Sequence, residues 1–291
     1  MIIVTGAGGN VGRQLVGRLK EAGAPLRACF NSPRKAAEAR AAGIDAAVLD
    51  YAKPETLDPA LAGGEKLFLL SPPERTELEP GVVEAARRAG IRKIVKLSVW
   101  GTPSEAFSFA RAHRAIERKI EKSGIPFTFL RPNGFMQNFV AAHASTIKNQ
   151  DAFYAPARDS RISFIDVRDI AAVAARVLVD AGHDGKAYGL SGPEAPTHAE
   201  IAEKFSRALG KPVRYVDLPD DDYVRALEGF GLSNVYARAI LDLHHYYRNG
   251  AASAVTPDVE RITGRKPISF QQFIQDHAAS FAGAETRMSR N

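Results

Sequence analysis

The sequence has little of several features that define large classes of protein. Its 291 residues include one cysteine, Cys29, which excludes a disulfide framework and any cysteine-based zinc or iron–sulfur site. No apolar stretch approaches the roughly 18 residues of a membrane helix, because Arg176 interrupts the best run, residues 171–179. No basic segment precedes the first apolar residues, so we expect no secretory leader and predict a cytoplasmic location.

The chain also has only a small excess of positive over negative charge. The chain has 39 lysines and arginines against 33 acidic residues, a formal net charge of +6, with no long run of like charges. Such a surplus permits phosphate-bearing ligands but predicts no nucleic-acid partner. No His-Glu-x-x-His motif occurs, and the adjacent His244 and His245 would point in different directions on a helix, so no metal site is predicted.

Short β-branched runs alternate with helical patterns over the first 130 residues, which is typical of a doubly wound α/β sheet. Strands are predicted at residues 2–4, 25–30, 47–49, 66–70, 91–97 and 127–130. Farther along, the pattern favours helices over 133–148 and 167–180, and it becomes mainly helical beyond residue 190. N-caps are predicted at Ser32, Asp166, Thr197 and Ser269.

These patterns predict two parts. Residues 1–132 are expected to form a Rossmann-type dinucleotide-binding domain with a parallel sheet, to which residues 161–190 return. Residues 133–160 and 191–291 are expected to form a smaller, mainly helical lobe that binds the substrate.

A glycine-rich turn lies between the first predicted strand and the first helix. Gly6, Gly9 and Gly12 follow a G-x-x-G-x-x-G spacing. Glycines at this spacing let the backbone approach a pyrophosphate, and the next helix offers free N–H groups to it. The strand–turn–helix context therefore favours dinucleotide binding over a purely structural turn.

The end of the second predicted strand distinguishes NAD from NADP. An NAD site places an acid there for the ribose 2′-hydroxyl, whereas the first acid after this strand is Glu38. Arg34 and Lys35 instead occupy the first turn of the next helix, where the helix dipole disfavours cations. A nearby 2′-phosphate explains them, so we predict NADPH; two solvated surface cations are the alternative.

The catalytic pair of ordinary short-chain dehydrogenases is missing. None of the eight tyrosines is followed by a lysine four residues later, so no Tyr-x-x-x-Lys motif exists. The chain also lacks a G-x-S-x-G nucleophile motif, and Cys29 lies inside a predicted buried strand, where it is expected to act as a small core residue.

Several segments together resemble one known family. They are the turn at residues 5–12, Asp50-Tyr51, Leu70-Ser71, Leu130-Arg131-Pro132-Asn133-Gly134-Phe135, residues 163–170 and residues 258–264. They are similar to the NmrA-like atypical short-chain dehydrogenase/reductases, nearly end to end. The most similar branch contains triphenylmethane reductase and NADPH-dependent quinone and azo-dye reductases.

The resemblance implies an NADPH-dependent oxidoreductase that transfers hydride to a planar conjugated acceptor: a quinone, an azo compound or a triphenylmethane-type dye. The same family holds redox sensors without turnover, so a non-catalytic NADP(H)-binding regulator is the alternative. A sugar-nucleotide or isoflavone-type relative with specific acid–base chemistry is disfavoured by the missing Tyr-x-x-x-Lys pair. The partner is then a small aromatic or quinonoid molecule, and the chain is compatible with a homodimer.

The resemblance also implies roles by position. The residues around the pyrophosphate are Gly6, Gly9, Asn10, Val11 and Gly12. Those at the 2′-phosphate are Asn31, Arg34 and Lys35, with Phe30 where relatives often carry an arginine. Those along the adenosine half are Asp50, Tyr51, Leu70 and Ser71. Those bordering the nicotinamide are Asn133, Gly134 and Phe135.

The predicted catalytic residue is His113, which falls near the nicotinamide ribose by the same resemblance. Glu117, one turn farther along, is expected either to orient its ring or to pair with Arg114 or Lys119. The predicted substrate pocket includes Trp100, Phe135 and Met136, within a wider aromatic set of Phe139, Phe153, Tyr154, Phe230, Tyr246 and Tyr247. Gly134 replaces a larger residue of the family and is expected to leave extra room in this pocket.

Overall fold

Seven parallel strands form the central sheet of this computed structural model, which describes residues 1–282 apart from the side chains of residues 73 and 74. The strands are β1 (Ile2–Val4), β2 (Leu26–Phe30), β3 (Ala46–Val48), β4 (Lys66–Leu69), β5 (Lys93–Leu97), β6 (Phe127–Pro132) and β8 (Lys186–Leu190). Their order is β3-β2-β1-β4-β5-β6-β8. Ile3 lies opposite Arg27 of β2 and Leu67 of β4, which sets the register.

Helices connect these strands and build the rest of the chain. They are α1 (Asn10–Glu21), α2 (Pro33–Ala41), α3 (Leu57–Leu61), α4 (Glu79–Arg88), α5 (Ser108–Lys122), α6 (Ala144–Gln150), α7 (Val167–Val179), α8 (His198–Leu209), α9 (Asp220–Gly229), α10 (Asn234–Arg248), α11 (Asp258–Thr263), α12 (Phe270–Asp276) and α13 (Ala278–Phe281). None within residues 1–282 is long and apolar enough to cross a membrane.

The two faces of the sheet are covered by different helices. Since successive strand side chains point to opposite faces, Val4 and Phe68 pack with α1, α7 and α11, whereas Ile3 and Leu67 pack with α3, α4 and α5. Both faces are buried, as parallel sheets require.

A second hydrophobic core lies in the C-terminal lobe. There β7 (Ala152–Ala155) pairs in parallel with β9 (Arg214–Asp217), forming a small separate sheet. Aromatic side chains fill the space between these strands and α8, α12 and α13; they include Phe139, Phe153, Phe205, Phe270 and Phe273.

The predicted fold class is confirmed. The N-caps follow local chemistry: the Ser32, Asp166 and Ser269 side chains each accept a backbone N–H at the start of a helix. Thr197 and Glu200 form a reciprocal capping box.

The helix predicted from residue 133 was wrong at its start. Residues 133–136 form a turn in which Phe135 makes a bridge with Ile165. Helical backbone begins at Gln137, and a π-helical turn, Phe139–His143, precedes α6. The three strands β7, β8 and β9 were not predicted.

Candidate functional site

The order of the strands predicts a ligand-binding crevice at the carboxyl end of β1. β2 and β3 are added on one side of β1, and β4, β5, β6 and β8 are added on the other side. Ligands of doubly wound sheets bind at the point where the strand order switches in this way. Thr5 fixes this edge: its hydroxyl accepts the Leu70 N–H at 2.8 Å and lies 3.0 Å from the Phe68 carbonyl, to which it can donate. The last residues of β1 and β4 are thereby held together beside the glycine turn.

The glycine turn is tight at two positions. Gly6 has a φ of +62°, and a β-carbon added to Gly12 would fall on the Gly6 carbonyl. Gly9, the N-cap of α1, offers no side-chain cap, and the first turn of α1 carries no acid. The N–H groups of Asn10 and Val11 therefore face no competing side-chain acceptor, which fits a pyrophosphate at this helix terminus.

The two predicted cations of α2 differ in their surroundings. Arg34 pairs with Glu38 one turn away, and its side chain is 75% exposed. Lys35 extends toward the turn: its Cδ lies 3.9 Å from an ideal β-carbon on Gly8, on the same side as the Phe30 ring at 3.4 Å. The Lys35 ammonium has no ion-pair partner within residues 1–282, so it is the better placed cation for a 2′-phosphate.

The residues predicted to lie along the adenosine half of the cofactor are of two kinds. Some support the fold, and others keep a polar group exposed for binding. Tyr51 is buried, and its hydroxyl donates to the Leu70 carbonyl at 2.8 Å. Burial and the negative charge of Glu79 raise the pKa of Tyr51 well above its ordinary value, so it remains a phenol. Asp50 keeps a partly exposed carboxylate, 3.6 Å from Arg75 Nη1.

A buried polar network lies beneath β4 and β5. Ser71 Oγ donates to Glu79 Oε1 at 2.7 Å, and Lys96 Nζ lies 3.0 Å from that carboxylate. The side chains of Glu79 and Lys96 have no exposed surface. Our sequence analysis missed this pair, for which a lysine inside the buried strand β5 was the available signal.

His113 lies on α5 near this network. Its Nδ1 is buried and has no hydrogen-bond partner within residues 1–282. Burial and the positive charge of Lys96 hold the pKa of His113 well below its ordinary value. The imidazole is therefore neutral at physiological pH, and it can offer a hydrogen bond but no ready acidic proton.

Glu117 does not orient His113. Its carboxylate binds Arg131 Nε and Nη2 at 2.9 and 2.7 Å and accepts from Ser98 Oγ at 2.8 Å. The alternative pairing with Arg114 is present at 3.3 Å, whereas Lys119 pairs with Glu84. Glu117 thus joins α5 to β6.

The Asn133 side chain is hydrogen-bonded to surrounding groups of the protein. Its Nδ2 donates to Ser163 Oγ and to the Ala252 carbonyl, both at 2.9 Å, and its Oδ1 accepts the Gly134 N–H at 2.9 Å. Only 2% of Asn133 is exposed. This side chain shapes the turn that carries Gly134 and Phe135.

The extra room expected at Gly134 was a wrong prediction. A β-carbon added there would lie 2.8 Å from Phe164 Cε1 and 3.2 Å from Tyr247 Oη. The space is filled by these two side chains, one from the loop before α7 and one from α10. Glycine is needed at 134 because they pack against its backbone.

The three predicted pocket residues lie in different environments. Trp100 donates from Nε1 to the Ala251 carbonyl at 2.9 Å and packs on Gly189 of β8. Trp100 and Phe135 remain partly exposed at the carboxyl edge of the sheet. Met136 is 1% exposed and packs in the core of the C-terminal lobe, so it lines no open surface.

The wider aromatic set is also dispersed. Phe139 and Phe153 are buried in the lobe core, whereas Phe230 is 74% exposed. The Tyr246 ring packs at a tilt against Phe107, and Tyr247 lies over Gly134.

The histidines do not assemble a metal site. His244 lies 3.3 Å from the Tyr223 hydroxyl, and His245 lies 2.7 Å from Asp220. Within the described part of the chain, no group of three His, Cys, Asp or Glu side chains could hold a metal ion.

Two curated proteins are similar over nearly their whole length. An NAD(P)H azoreductase of Xenophilus azovorans is 34% identical over 98% of this chain and 100% of its own length. A (4-alkanoyl-5-oxo-2,5-dihydrofuran-3-yl)methyl phosphate reductase of Streptomyces griseus is 37% identical, covering 97% of this chain and 99% of that protein.

Solved structures agree with this similarity. The NADPH complex of the quinone oxidoreductase QOR2 from Escherichia coli superposes with a TM-score of 0.86 at 30% identity, covering 96% of this chain and all of that one. The triphenylmethane reductase of Citrobacter sp. with NADP(H) gives 0.83 at 25% identity, over 94% and 99%. The model of the NmrA-like family matches residues 1–272, and the chain belongs to that family.

Proposed function

We propose that this chain is an NADPH-dependent reductase that transfers hydride to a planar conjugated acceptor, such as a quinone, an azo compound or a triphenylmethane-type dye. The observation that supports NADPH as the cofactor is the uncapped first turn of α1 beside Lys35, which has no ion-pair partner within residues 1–282, at the carboxyl ends of β1 and β4. The azoreductase, the quinone oxidoreductase and the triphenylmethane reductase among the similar proteins support the acceptor class. The furanone phosphate reductase extends it to conjugated lactones.

The chain's own groups would bind and orient the cofactor. The backbone N–H groups of residues 10–12 hold the pyrophosphate, and Lys35 holds the 2′-phosphate, with Asn31 and Arg34 at the rim. Asp50 and the Leu70-Ser71 backbone lie along the adenosine half. Gly134 and Phe135 border the nicotinamide, and the neutral His113 lies near the nicotinamide ribose. When bound, the cofactor supplies the hydride.

The side chains on α5 support this class of acceptor. The chain has no Tyr-x-x-x-Lys pair, and the residues at that spacing on α5 are the neutral His113 and the fully engaged Glu117. Such a site gives an ordinary ketone little protonation as hydride arrives. An acceptor that delocalises the incoming charge needs that proton less, so orientation and proximity supply most of the rate enhancement.

The alternative is a regulator that binds NADP(H) without turnover. Lys35 and the glycine turn serve both functions equally, so acceptor reduction decides between them. A homodimer and a cytoplasmic location remain predictions.

The test is steady-state oxidation of NADPH and NADH with a panel of quinones, azo dyes and a cationic triphenylmethane dye. We expect turnover with several members and a preference for NADPH that the Lys35→Ala variant loses. Tight NADPH binding without reduction of any acceptor would favour the regulator.

A further inference from the structure

One tyrosine hydroxyl faces the predicted nicotinamide segment without a partner. Tyr247 lies near the end of α10, and its Oη is 3.2 Å from an ideal β-carbon on Gly134. The residue is 7% exposed, and its hydroxyl makes no hydrogen bond within residues 1–282. The hydroxyl is not among the fully buried polar atoms of these residues that lack a partner, so it keeps some accessible surface and can meet a ligand atom beside this segment.

The neighbouring tyrosines are already engaged. The Tyr246 hydroxyl is hydrogen-bonded to Ser104, and its ring packs at a tilt against Phe107, with the ring centroids 4.6 Å apart. The Tyr223 hydroxyl lies 3.3 Å from His244 Nε2. On this side of the lobe, Tyr247 is the phenol left to meet an acceptor.

Packing holds Tyr247 in place. Its ring meets the His244 ring edge-on at 5.8 Å, and Phe164 fills the other side of Gly134. The absence of a side chain at 134 lets the hydroxyl approach the turn that carries Phe135. The C-terminal lobe thus brings a hydrogen-bond donor to the edge of the sheet where α5 provides no acid.

We propose that the Tyr247 hydroxyl donates a hydrogen bond to the acceptor oxygen that gains negative charge during hydride transfer. The proposal rests on the proposed function and adds a residue to it. Hydride transfer breaks one C–H bond of the reduced cofactor, forms one bond from that hydrogen to the acceptor, and leaves an electron pair on the acceptor oxygen. A fixed donor at that oxygen stabilises the charge as it develops.

Tyr247 keeps its own proton in this step. Burial raises the pKa of Tyr247 above its ordinary value, so loss of its proton to a hydroquinone anion is unfavourable. Water then supplies the proton that completes the hydroquinone. In this role Tyr247, from the C-terminal lobe, donates a hydrogen bond to the oxyanion of the acceptor.

The chemistry of the acceptors provides a sharp test. A quinone gains charge on oxygen, whereas a cationic triphenylmethane dye receives hydride at carbon and becomes neutral, with no oxyanion to stabilise. We expect Tyr247→Phe to lower kcat/KM for quinones about 10- to 100-fold, the range for a hydrogen bond to a charged group. Dye reduction and the Kd of NADPH should change less than about twofold.

Tyr246→Phe is the matched control and should leave both reactions near wild type. Tyr247→Leu is a second variant without a hydroxyl, and thermal unfolding checks that each variant folds. An equal loss with quinone and dye would assign Tyr247 to packing and overturn the proposal, as would unchanged quinone reduction. If the wild type binds NADPH but reduces neither acceptor, the proposed function itself fails.

Discussion

Lys96 Nζ lies 3.0 Å from the carboxylate of Glu79, and neither side chain has any exposed surface. The carboxylate also accepts from Ser71 Oγ, and Lys96 donates to the Leu97 carbonyl, so both charges are hydrogen-bonded. Taking two charges out of water costs several kcal/mol for each, and their attraction offsets this cost only while both are present.

Removing one member of this pair should therefore destabilise the fold strongly. We expect Lys96→Met to lower the free energy of unfolding by about 3–5 kcal/mol, measured by urea denaturation. The double variant Lys96→Met/Glu79→Leu should lose less than Lys96→Met alone, because it leaves no unpaired charge. Additive losses would show that the two charges are not coupled.

Gly12 should tolerate no side chain. A β-carbon there falls on the Gly6 carbonyl, so Gly12→Ala must distort the turn that offers its N–H groups to the pyrophosphate. We expect NADPH affinity to fall at least tenfold, measured by fluorescence titration, a loss of about 1.4 kcal/mol or more.

Gly17→Ala on the same helix is the control, since nothing lies within 4 Å of its added β-carbon. It should preserve NADPH affinity and stabilise the fold by up to about 1 kcal/mol through helix propensity. Equal NADPH affinity in Gly12→Ala and Gly17→Ala would contradict the assigned turn.

Lys35 should contribute more to NADPH binding than Arg34. Lys35→Ala removes a cation beside Gly8 that has no ion-pair partner in the described part of the chain, whereas Arg34→Ala removes one that Glu38 already neutralises. A charge-assisted hydrogen bond contributes about 1.5–3 kcal/mol. We expect Lys35→Ala to weaken NADPH binding about tenfold or more and NADH binding little, in parallel titrations of both cofactors. A larger effect from Arg34→Ala would reverse the assignment.

Acid should destabilise the C-terminal lobe through its buried histidines. Burial, with the positive charge of Arg248, lowers the pKa of His244 from 6.5 to about 3. On acidification His244 therefore binds a proton in the unfolded chain before it does so in the fold. The free energy of unfolding consequently decreases as pH falls below 6.5. His244 alone should account for about 2 kcal/mol between pH 7 and pH 5.

The measurement is urea unfolding of wild type and His244→Gln at these two pH values. The variant should lose about 2 kcal/mol less than the wild type on acidification. An identical pH dependence in the two proteins would show that His244 is accessible to protons in the fold.

Local chemistry made much of the fold predictable. The glycine turn, the N-caps Ser32, Asp166 and Thr197 and the apolar strands depend on neighbouring residues, and each was found where its pattern indicated. β8 was missed because it is an edge strand whose first residues, Lys186 and Ala187, are exposed. β8 is held as a strand by its pairing with β6, which its own sequence pattern does not indicate.

The site was less predictable where distant segments meet. The sequence around Gly134 gives no sign that Phe164 and Tyr247 fill the space beside it. Similarly, Lys96 and Glu79 belong to different elements, and neither residue's local sequence indicates the other as its partner. Such contacts depend on how α4, α5 and α10 pack, which periodicity does not specify.

Direct hydride transfer is the central claim, and deuterium labelling measures it most directly. The protein is supplied with NADPH deuterated at C4 on one face or the other, together with a cationic triphenylmethane dye, whose reduced carbon does not exchange with water. We predict one deuterium per molecule of colourless product from one labelled face and none from the other, because the crevice fixes the nicotinamide in one orientation. Bound NADPH without product, or product without deuterium from either face, would contradict the account.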